Sequence, residues 1–244
     1  EIDSNYADAS NNKGVSLNIL GRYEEALDAT DEAIELDPQY PDAWNNKGVA
    51  LNNLGRYEEA LNATNKAIEL YPEYSEAWNN RGASLNNLGR YQEALDAVNR
   101  SIELDPQYPD SWSNKGASLN NLDRYEEALL SIDKAIELNG SMPEAWNNRC
   151  VSMNKLGRYE EALEAADRAI ELNGNMSEAW NNKGASLNNL GRYEEALKVA
   201  EEAIELNGNL SEAWNTKGSA LQALGRAGEA DEALAMAKRL GFEG

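Results

Sequence analysis

The sequence predicts an all-α solenoid of stacked antiparallel helix pairs, and three observations carry that prediction. The six tryptophans, Trp44, Trp78, Trp112, Trp146, Trp180 and Trp214, recur every 34 residues. Tyr23, Tyr57, Tyr91, Tyr125, Tyr159 and Tyr193 hold the same spacing, as do Ala26, Ala60, Ala94, Ala128, Ala162, Ala196 and Ala230. Within each period, two segments place apolar or small residues at helical intervals on either side of a glycine. A period of roughly 20–50 residues marks an array of units that cannot bury their apolar faces alone.

Counted from Ala7, the 244 residues hold seven units: 7–40, 41–74, 75–108, 109–142, 143–176, 177–210 and 211–244. EIDSNYADA at 1–9 aligns with ELDPQYPDA at 35–43, so residues 1–6 read as the tail of an upstream repeat. The chain is therefore expected to be a piece of a longer protein.

The second unit justifies each element in turn. In its first helix Trp44, Gly48 and Leu51 fall at i, i+4 and i+7, one face of a helix. Gly55 then supplies the stop. Glu58 and Glu59 open the second helix, where carboxylates suit the positive end of the helix dipole. Ala60, Leu61, Thr64, Ala67, Ile68 and Leu70 form its expected buried stripe, and Pro72 ends it. Units one to three close on Pro38, Pro72 and Pro106, whereas four to six close on Asn-Gly, which predicts two kinds of hinge.

Composition excludes several functions. Acidic residues outnumber basic ones 43 to 22, a net charge of -21, so nucleic acid and anionic membrane are poor partners. With no histidine and one cysteine, the commonest general base, metal ligand and disulfide framework are missing. No apolar run approaches a membrane span and no secretory segment opens the chain, so a cytoplasmic location is expected. Nearly every polar residue is a copied column rather than part of a unique constellation. No enzyme activity, cofactor or metal is expected.

The Trp, the Gly four residues later, the Gly-Arg-Tyr turn, the two spaced alanines and Pro72 resemble the tetratricopeptide repeat (TPR). The likeness covers the chain from residue 7. It implies a right-handed superhelical solenoid, with first helices lining a concave groove and second helices forming the convex back. One departure is the seventh place of each unit, usually apolar in that family. Here it is basic: Lys13, Lys47, Arg81, Lys115, Arg149, Lys183 and Lys217. Stems can pack there while the heads reach neighbouring carboxylates.

At about 100° per residue, the sixth and thirteenth places lie opposite the tryptophan. They hold Asn12, Asn46, Asn80, Asn114, Asn148 and Asn182, with Asn53, Asn87, Asn121 and Asn189. Small residues from Val15 to Ala185 lie between them, and the second place is acidic, giving Asp42, Glu76, Asp110, Glu144 and Glu178 as a groove edge. A carboxamide both donates and accepts, so such a ladder can pair with the backbone of an extended peptide. The sixth-place column resembles the asparagine ladder in the superhelix of O-linked N-acetylglucosamine transferase. The expected partner is an extended, neutral-to-basic protein segment. Two plainer readings stand beside it: the asparagines solvate an exposed face, or they bond one another between repeats. The acids likewise suit helix starts without any ligand. The alternative function is a self-assembling scaffold joined through its faces or its ends, where Leu234, Ala237 and Leu240 lack an obvious cover. The lysine and asparagine pattern of a chaperone-tail carboxylate clamp is absent apart from the sixth-place asparagine.

Two single positions are read as structural. Cys150 replaces a close-packing glycine and reads as a small buried thiol rather than a reactive one. Asp123 replaces a turn glycine, and Asp tolerates left-handed backbone. Glycosylation-type triplets such as Asn62-Ala-Thr64 arise by chance in an asparagine-rich chain.

Overall fold

A computed structural model describes residues 4–242. Among them lie fourteen helices: α1 (Ser4–Ile19), α2 (Tyr23–Leu36), α3 (Pro41–Asn53), α4 (Tyr57–Leu70), α5 (Ser75–Asn87), α6 (Tyr91–Leu104), α7 (Pro109–Asn121), α8 (Tyr125–Leu138), α9 (Pro143–Lys155), α10 (Tyr159–Leu172), α11 (Ser177–Asn189), α12 (Tyr193–Leu206), α13 (Ser211–Ala223) and α14 (Ala227–Arg239). They form two compact units, Glu1–Leu122 with α1–α7 and Asp123–Gly244 with α8–α14.

Inside the pairs α1–α2, α3–α4, α5–α6, α11–α12 and α13–α14 the helices meet at the eighth-place glycine. A Cβ on Gly48 would lie 2.6 Å from Thr64 Cγ2, and one on Gly82 2.4 Å from Val98 Cγ1. Cys150 fits the same place because its counterpart in the facing helix is Ala166, and both are fully buried. Burial pushes the Cys150 thiol up to about 12, which suits the structural reading. The turn glycines hold φ between 72° and 76° from Gly21 to Gly225. Asp123 adopts φ 58° in their stead and accepts a hydrogen bond from the Tyr125 hydroxyl. Each second helix then opens on a forked pair such as Arg56 Nε and Nη2 to Glu59, both at 2.7 Å. These pairs are solvent-exposed and contribute little.

The expected stripe of α4 needs correcting. Ala60, Leu61, Thr64 and Ala67 are buried, but so is Ala63, while Ile68 and Leu70 are only half-buried. The helix packs on two neighbours, so its buried arc is wider and displaced. Leu234, Ala237 and Leu240 are not left bare either. Ala237 is buried, Leu234 packs on Gly218, and Leu240 is half-buried.

The two expected hinge types are one hinge. Asp37, Tyr71 and Asp105 precede the prolines with φ/ψ of -139°/94°, -139°/89° and -138°/93°. Asn139, Asn173 and Asn207 precede the glycines at -148°/98°, -144°/93° and -143°/92°. An Asp37 or Asn139 side-chain oxygen accepts the same backbone N–H two residues on, at 2.9 and 3.0 Å.

Every hinge carbonyl has the same employer. Trp44, Trp78 and Trp112 donate Nε1–H to the Pro38, Pro72 and Pro106 carbonyls at 3.1, 2.9 and 2.9 Å. Trp146, Trp180 and Trp214 donate to Gly140, Gly174 and Gly208 at 3.0, 2.9 and 2.9 Å. The seventh-place cation lies 5.2–5.9 Å from the centre of each indole. Its head reaches the preceding second helix, as expected: Lys47 to Asp31 at 2.5 Å, Arg149 to Asp133 at 3.0 Å, Lys183 to Asp167 at 2.6 Å and Lys217 to Glu201 at 2.9 Å.

Two places generate predictions. Asn65 stands where Arg81 would meet a carboxylate, and Arg81 Nε is buried without a partner. Asn65→Asp should stabilise the fold by about 1 kcal/mol. The added carboxylate gains a cationic partner on folding, so its pKa is lowered. The gain in urea midpoint is then present at neutral pH and lost as the pH falls through the carboxylate range. An unchanged midpoint at pH 7 would refute the pairing. Secondly, Ser101 and Ser111, both alanine in most units, are fully buried with their hydroxyls 2.7 Å apart. Ser101→Ala strands the Ser111 hydroxyl and should cost about 1–3 kcal/mol. Adding Ser111→Ala should recover most of that loss; additive losses in a double-mutant cycle would contradict the pairing.

Candidate functional site

The carboxamides of the first helices form a bonded system rather than a row of free groups. Sixth-place Nδ2 groups donate to the fifth-place Oδ1 of the preceding repeat: Asn46 to Asn11 at 2.8 Å, Asn80 to Asn45 at 2.9 Å, Asn114 to Asn79 at 2.8 Å and Asn182 to Asn147 at 2.9 Å. Thr216 makes the same link with its hydroxyl, donating to Asn181 at 2.8 Å. A second stitch runs from the twelfth place to the main-chain carbonyl of the next sixth place. Asn18 donates to Asn46 at 3.1 Å, Asn154 to Asn182 at 3.3 Å and Asn188 to Thr216 at 3.0 Å.

Fifth-place residues are the anchors. Asn11, Asn45, Asn79 and Asn181 are buried. In the first two repeats the Asn11 and Asn45 amides also donate to Tyr40 and Tyr74 hydroxyls at 3.3 and 3.4 Å. Burial, and then a hydrogen bond with Asp8, pushes the Tyr40 hydroxyl up to about 12. Burial and Asp42 raise Tyr74 in the same way. The acidic edge therefore has a structural use at Asp42, which is half-buried. Glu76, Asp110, Glu144 and Glu178 are exposed. Asp110 is exposed as a whole residue, yet partial burial of its carboxyl raises it from its ordinary value.

The sixth-place carboxamides are half-buried except Asn12, which is exposed. Among the described residues, the Oδ1 of Asn46, Asn80, Asn114 and Asn182 has no protein donor. It is not among the buried unpaired atoms. Asn148 is half-buried, and its carbonyl lies 3.1 Å from the Ser152 hydroxyl. Thirteenth-place asparagines serve their own helix ends. Asn53, Asn121 and Asn189 donate to the Val49, Ala117 and Ala185 carbonyls at 2.9, 3.0 and 2.9 Å, while Asn87 is exposed. The fifth and twelfth columns escaped the sequence reading although they are as rich in asparagine as the sixth.

The stitching is uneven. Ser118 and Ser186 hydroxyls lie 2.9 Å from Asn86 Oδ1 and Asn154 Oδ1. The equivalents of these serines opposite Asn18 and Asn188 are Ala50 and Ala220, and both acceptors are buried and unpaired. Asn52 Oδ1 is unpaired too, although Ser84 stands at the equivalent place; the Ser84 hydroxyl donates to the Asn80 carbonyl at 2.9 Å, and the Ser118 and Ser186 hydroxyls lie as close to the Asn114 and Asn182 carbonyls.

Stacked helix pairs with such polar junctions define an α-helical repeat protein, an architecture that serves protein–protein interaction. The chain belongs to the tetratricopeptide repeat family. A family model described as a tetratricopeptide repeat matches residues 3–41, 20–72, 45–109, 114–172 and 154–211, and a second matches 97–129. None of the curated proteins matches the sequence. A tetratricopeptide repeat protein from Parabacteroides merdae is similar in structure, with a TM-score of 0.70 and 17% identity over 98% of this chain and 94% of its own. The Cut9-Hcn1 hetero-tetramer of APC/C contains a chain of TM-score 0.78 and 20% identity, matched over 94% of this chain and 45% of that one. YrrB, described as a TPR protein with an unusual peptide-binding site, gives 0.54 and 24% over 78% of this chain and 97% of its own. These likenesses show an all-α TPR solenoid, and proteins built from this repeat are generally non-catalytic interaction modules. No described helix is long and apolar enough to cross a membrane.

The incomplete stitch can be repaired. Ala50→Ser should donate to Asn18 Oδ1 as Ser118 does to Asn86, raising stability by about 1 kcal/mol in urea denaturation. An unchanged or lowered midpoint would show that the added hydroxyl does not reach Asn18 Oδ1, as the Ser84 hydroxyl does not reach Asn52.

Proposed function

We propose that the chain binds an extended segment of a partner protein along the first-helix face, without catalysis. The observation that carries this reading is the leftover capacity of the sixth-place carboxamides. One N–H of Asn46, Asn80, Asn114 and Asn182 locks the side chain to the preceding repeat. The oxygen and the second N–H are then held ready for a peptide unit. A side chain already fixed loses little entropy on binding. Half-buried Val49, Ala83, Ala117 and Ala185 beside them let a backbone come close. The exposed acids and the net charge of -21 favour neutral or basic segments and speed their approach at low salt.

Thr216 supplies the means of testing this, since a hydroxyl keeps the inter-repeat bond and removes the carboxamide. Peptides selected from a displayed random library on the parent should lose about tenfold or more in affinity for Asn46→Thr/Asn80→Thr/Asn114→Thr. Stability should change by no more than about 1 kcal/mol, because Asn and Thr have similar helix propensities. Equal affinity for both proteins would make the ladder purely structural. If mass also rose with concentration, self-association through exposed Tyr6, Ile19 and Leu20 would be the better reading.

A further inference from the structure

The outer face of α1 carries the receiving half of a repeat junction. At the next junction Asn46 donates to Asn11, Lys47 reaches Asp31, and Leu54 packs into an apolar cluster shared by the two repeats. The same places in α1 hold Asn12, Lys13 and Leu20. Among the described residues the Asn12 carboxamide has no protein partner, and Lys13 makes no ion pair beyond the field it exerts on Glu25 of its own repeat. Leu20 is 68% exposed, and so is Tyr6 at 66%, whose counterparts Tyr40 and Tyr74 accept from asparagines of the preceding repeat. The chain's own last repeat does not match this face. Leu27, Leu61, Leu129, Leu163 and Leu197 each pack in the cluster around the next repeat's tryptophan, and Asp31, Asp133, Asp167 and Glu201 take the next cation. The corresponding residues of α14 are Asp231 and Ala235, both exposed.

We infer that the outer face of α1 docks the terminal helix pair of another protein. That pair is of this same repeat type, with asparagine at its fifth place, leucine at its twenty-first and an acid at its twenty-fifth. The match runs group by group, as at the junction already formed between the first two repeats. The asparagine oxygen accepts from Asn12, the carboxylate pairs with Lys13, and the leucine covers Leu20. The ion pair at the rim of an apolar contact fixes register and rejects mismatched partners. A second copy is such a mismatch. Its Asp231 would be pressed against Leu17 and Leu20, losing water for no placed partner, and its Ala235 would offer Lys13 nothing. A covalently linked neighbour fits less well than a separate molecule. Residues 4–6 correspond to the hinge at 38–40 yet form the first turn of α1, and Ser10 replaces the indole that clamps a preceding hinge carbonyl elsewhere. This surface lies apart from the carboxamides of the later repeats, so the peptide reading stands or falls separately.

The chain can be turned into a partner of the required kind. Asp231→Leu/Ala235→Asp gives α14 the leucine and the acid that earlier second helices present to their neighbours. Both positions are exposed, so helicity by circular dichroism should be unchanged. In sedimentation equilibrium the parent should keep its 26.9 kDa mass at every concentration. The variant's average mass should at least double by about 1 mM, as head-to-tail contacts with a Kd of about 0.1 mM require. Adding Lys13→Glu/Leu20→Asp to that variant should return it to the parent's mass. A folded Asp231→Leu/Ala235→Asp protein that stays at the parent's mass would overturn the docking surface. So would association that persists after Lys13 and Leu20 are replaced, since the contact would then lie elsewhere. If the unaltered parent associates and Leu20→Asp abolishes it, a second copy is the occupant, and the partner assigned here is wrong.

Discussion

The structure depends on one hydrogen bond repeated at each junction, from an indole N–H to a main-chain carbonyl in the preceding turn. Apolar burial drives stacking but has no direction, so it cannot by itself set register. Trp44 and its five counterparts set it, because each fills the gap beside its neighbour while its one polar atom must find an acceptor. The same ring carries the seventh-place cation on its face, and that cation reaches back to the preceding second helix. Once the indole is placed, consecutive first helices lie at the spacing that lets carboxamides 35 residues apart meet. What the turn must supply is a carbonyl in one position. Pro38 and Gly140 both supply it, so the chain can alternate between them without changing the hinge.

That explains which features were legible in the sequence. Helix limits, the turn glycines, Asp123 and Cys150 are local matters of backbone sign or side-chain volume, and a single unit reveals them. The reach of the basic seventh place was also readable, because snorkelling needs only a long stem and a nearby carboxylate. The hinge distinction misled because residue type was taken for conformation, whereas a β-region residue before proline and an Asx turn before glycine converge on similar dihedrals.

The asparagine system was half legible. A helical wheel gives the angle of a side chain around its own axis, and so it put the sixth place opposite the tryptophan. It says nothing of how far one helix is shifted along its neighbour. Whether Asn46 meets Asn11 or solvent depends on that shift, which Trp44 fixes from the other side of the helix. The buried fifth place was invisible for the same reason. It becomes meaningful only as the acceptor for a donor one repeat away.

The plain and the functional readings of the ladder are therefore not rivals. A carboxamide has more bonding capacity than one junction consumes, so the bond that stitches Asn80 to Asn45 is also what holds the rest of the Asn80 amide still. A surface asparagine would have to be ordered when a ligand arrived; this one is ordered by folding. Uniform stitching would give a uniform face, able to hold a backbone but indifferent to its side chains. Here the stitching varies: serine caps Asn86 and Asn154, alanine leaves Asn18 and Asn188 bare, and Thr216 ends the run of sixth-place carboxamides. Each unmade bond is a local cost that the fold carries, because the oxygen is shut away from water as well as from a donor. On the proposed reading, affinity for an extended chain therefore comes from the repeated sixth-place oxygens, which are not shut away, and not from these closed acceptors.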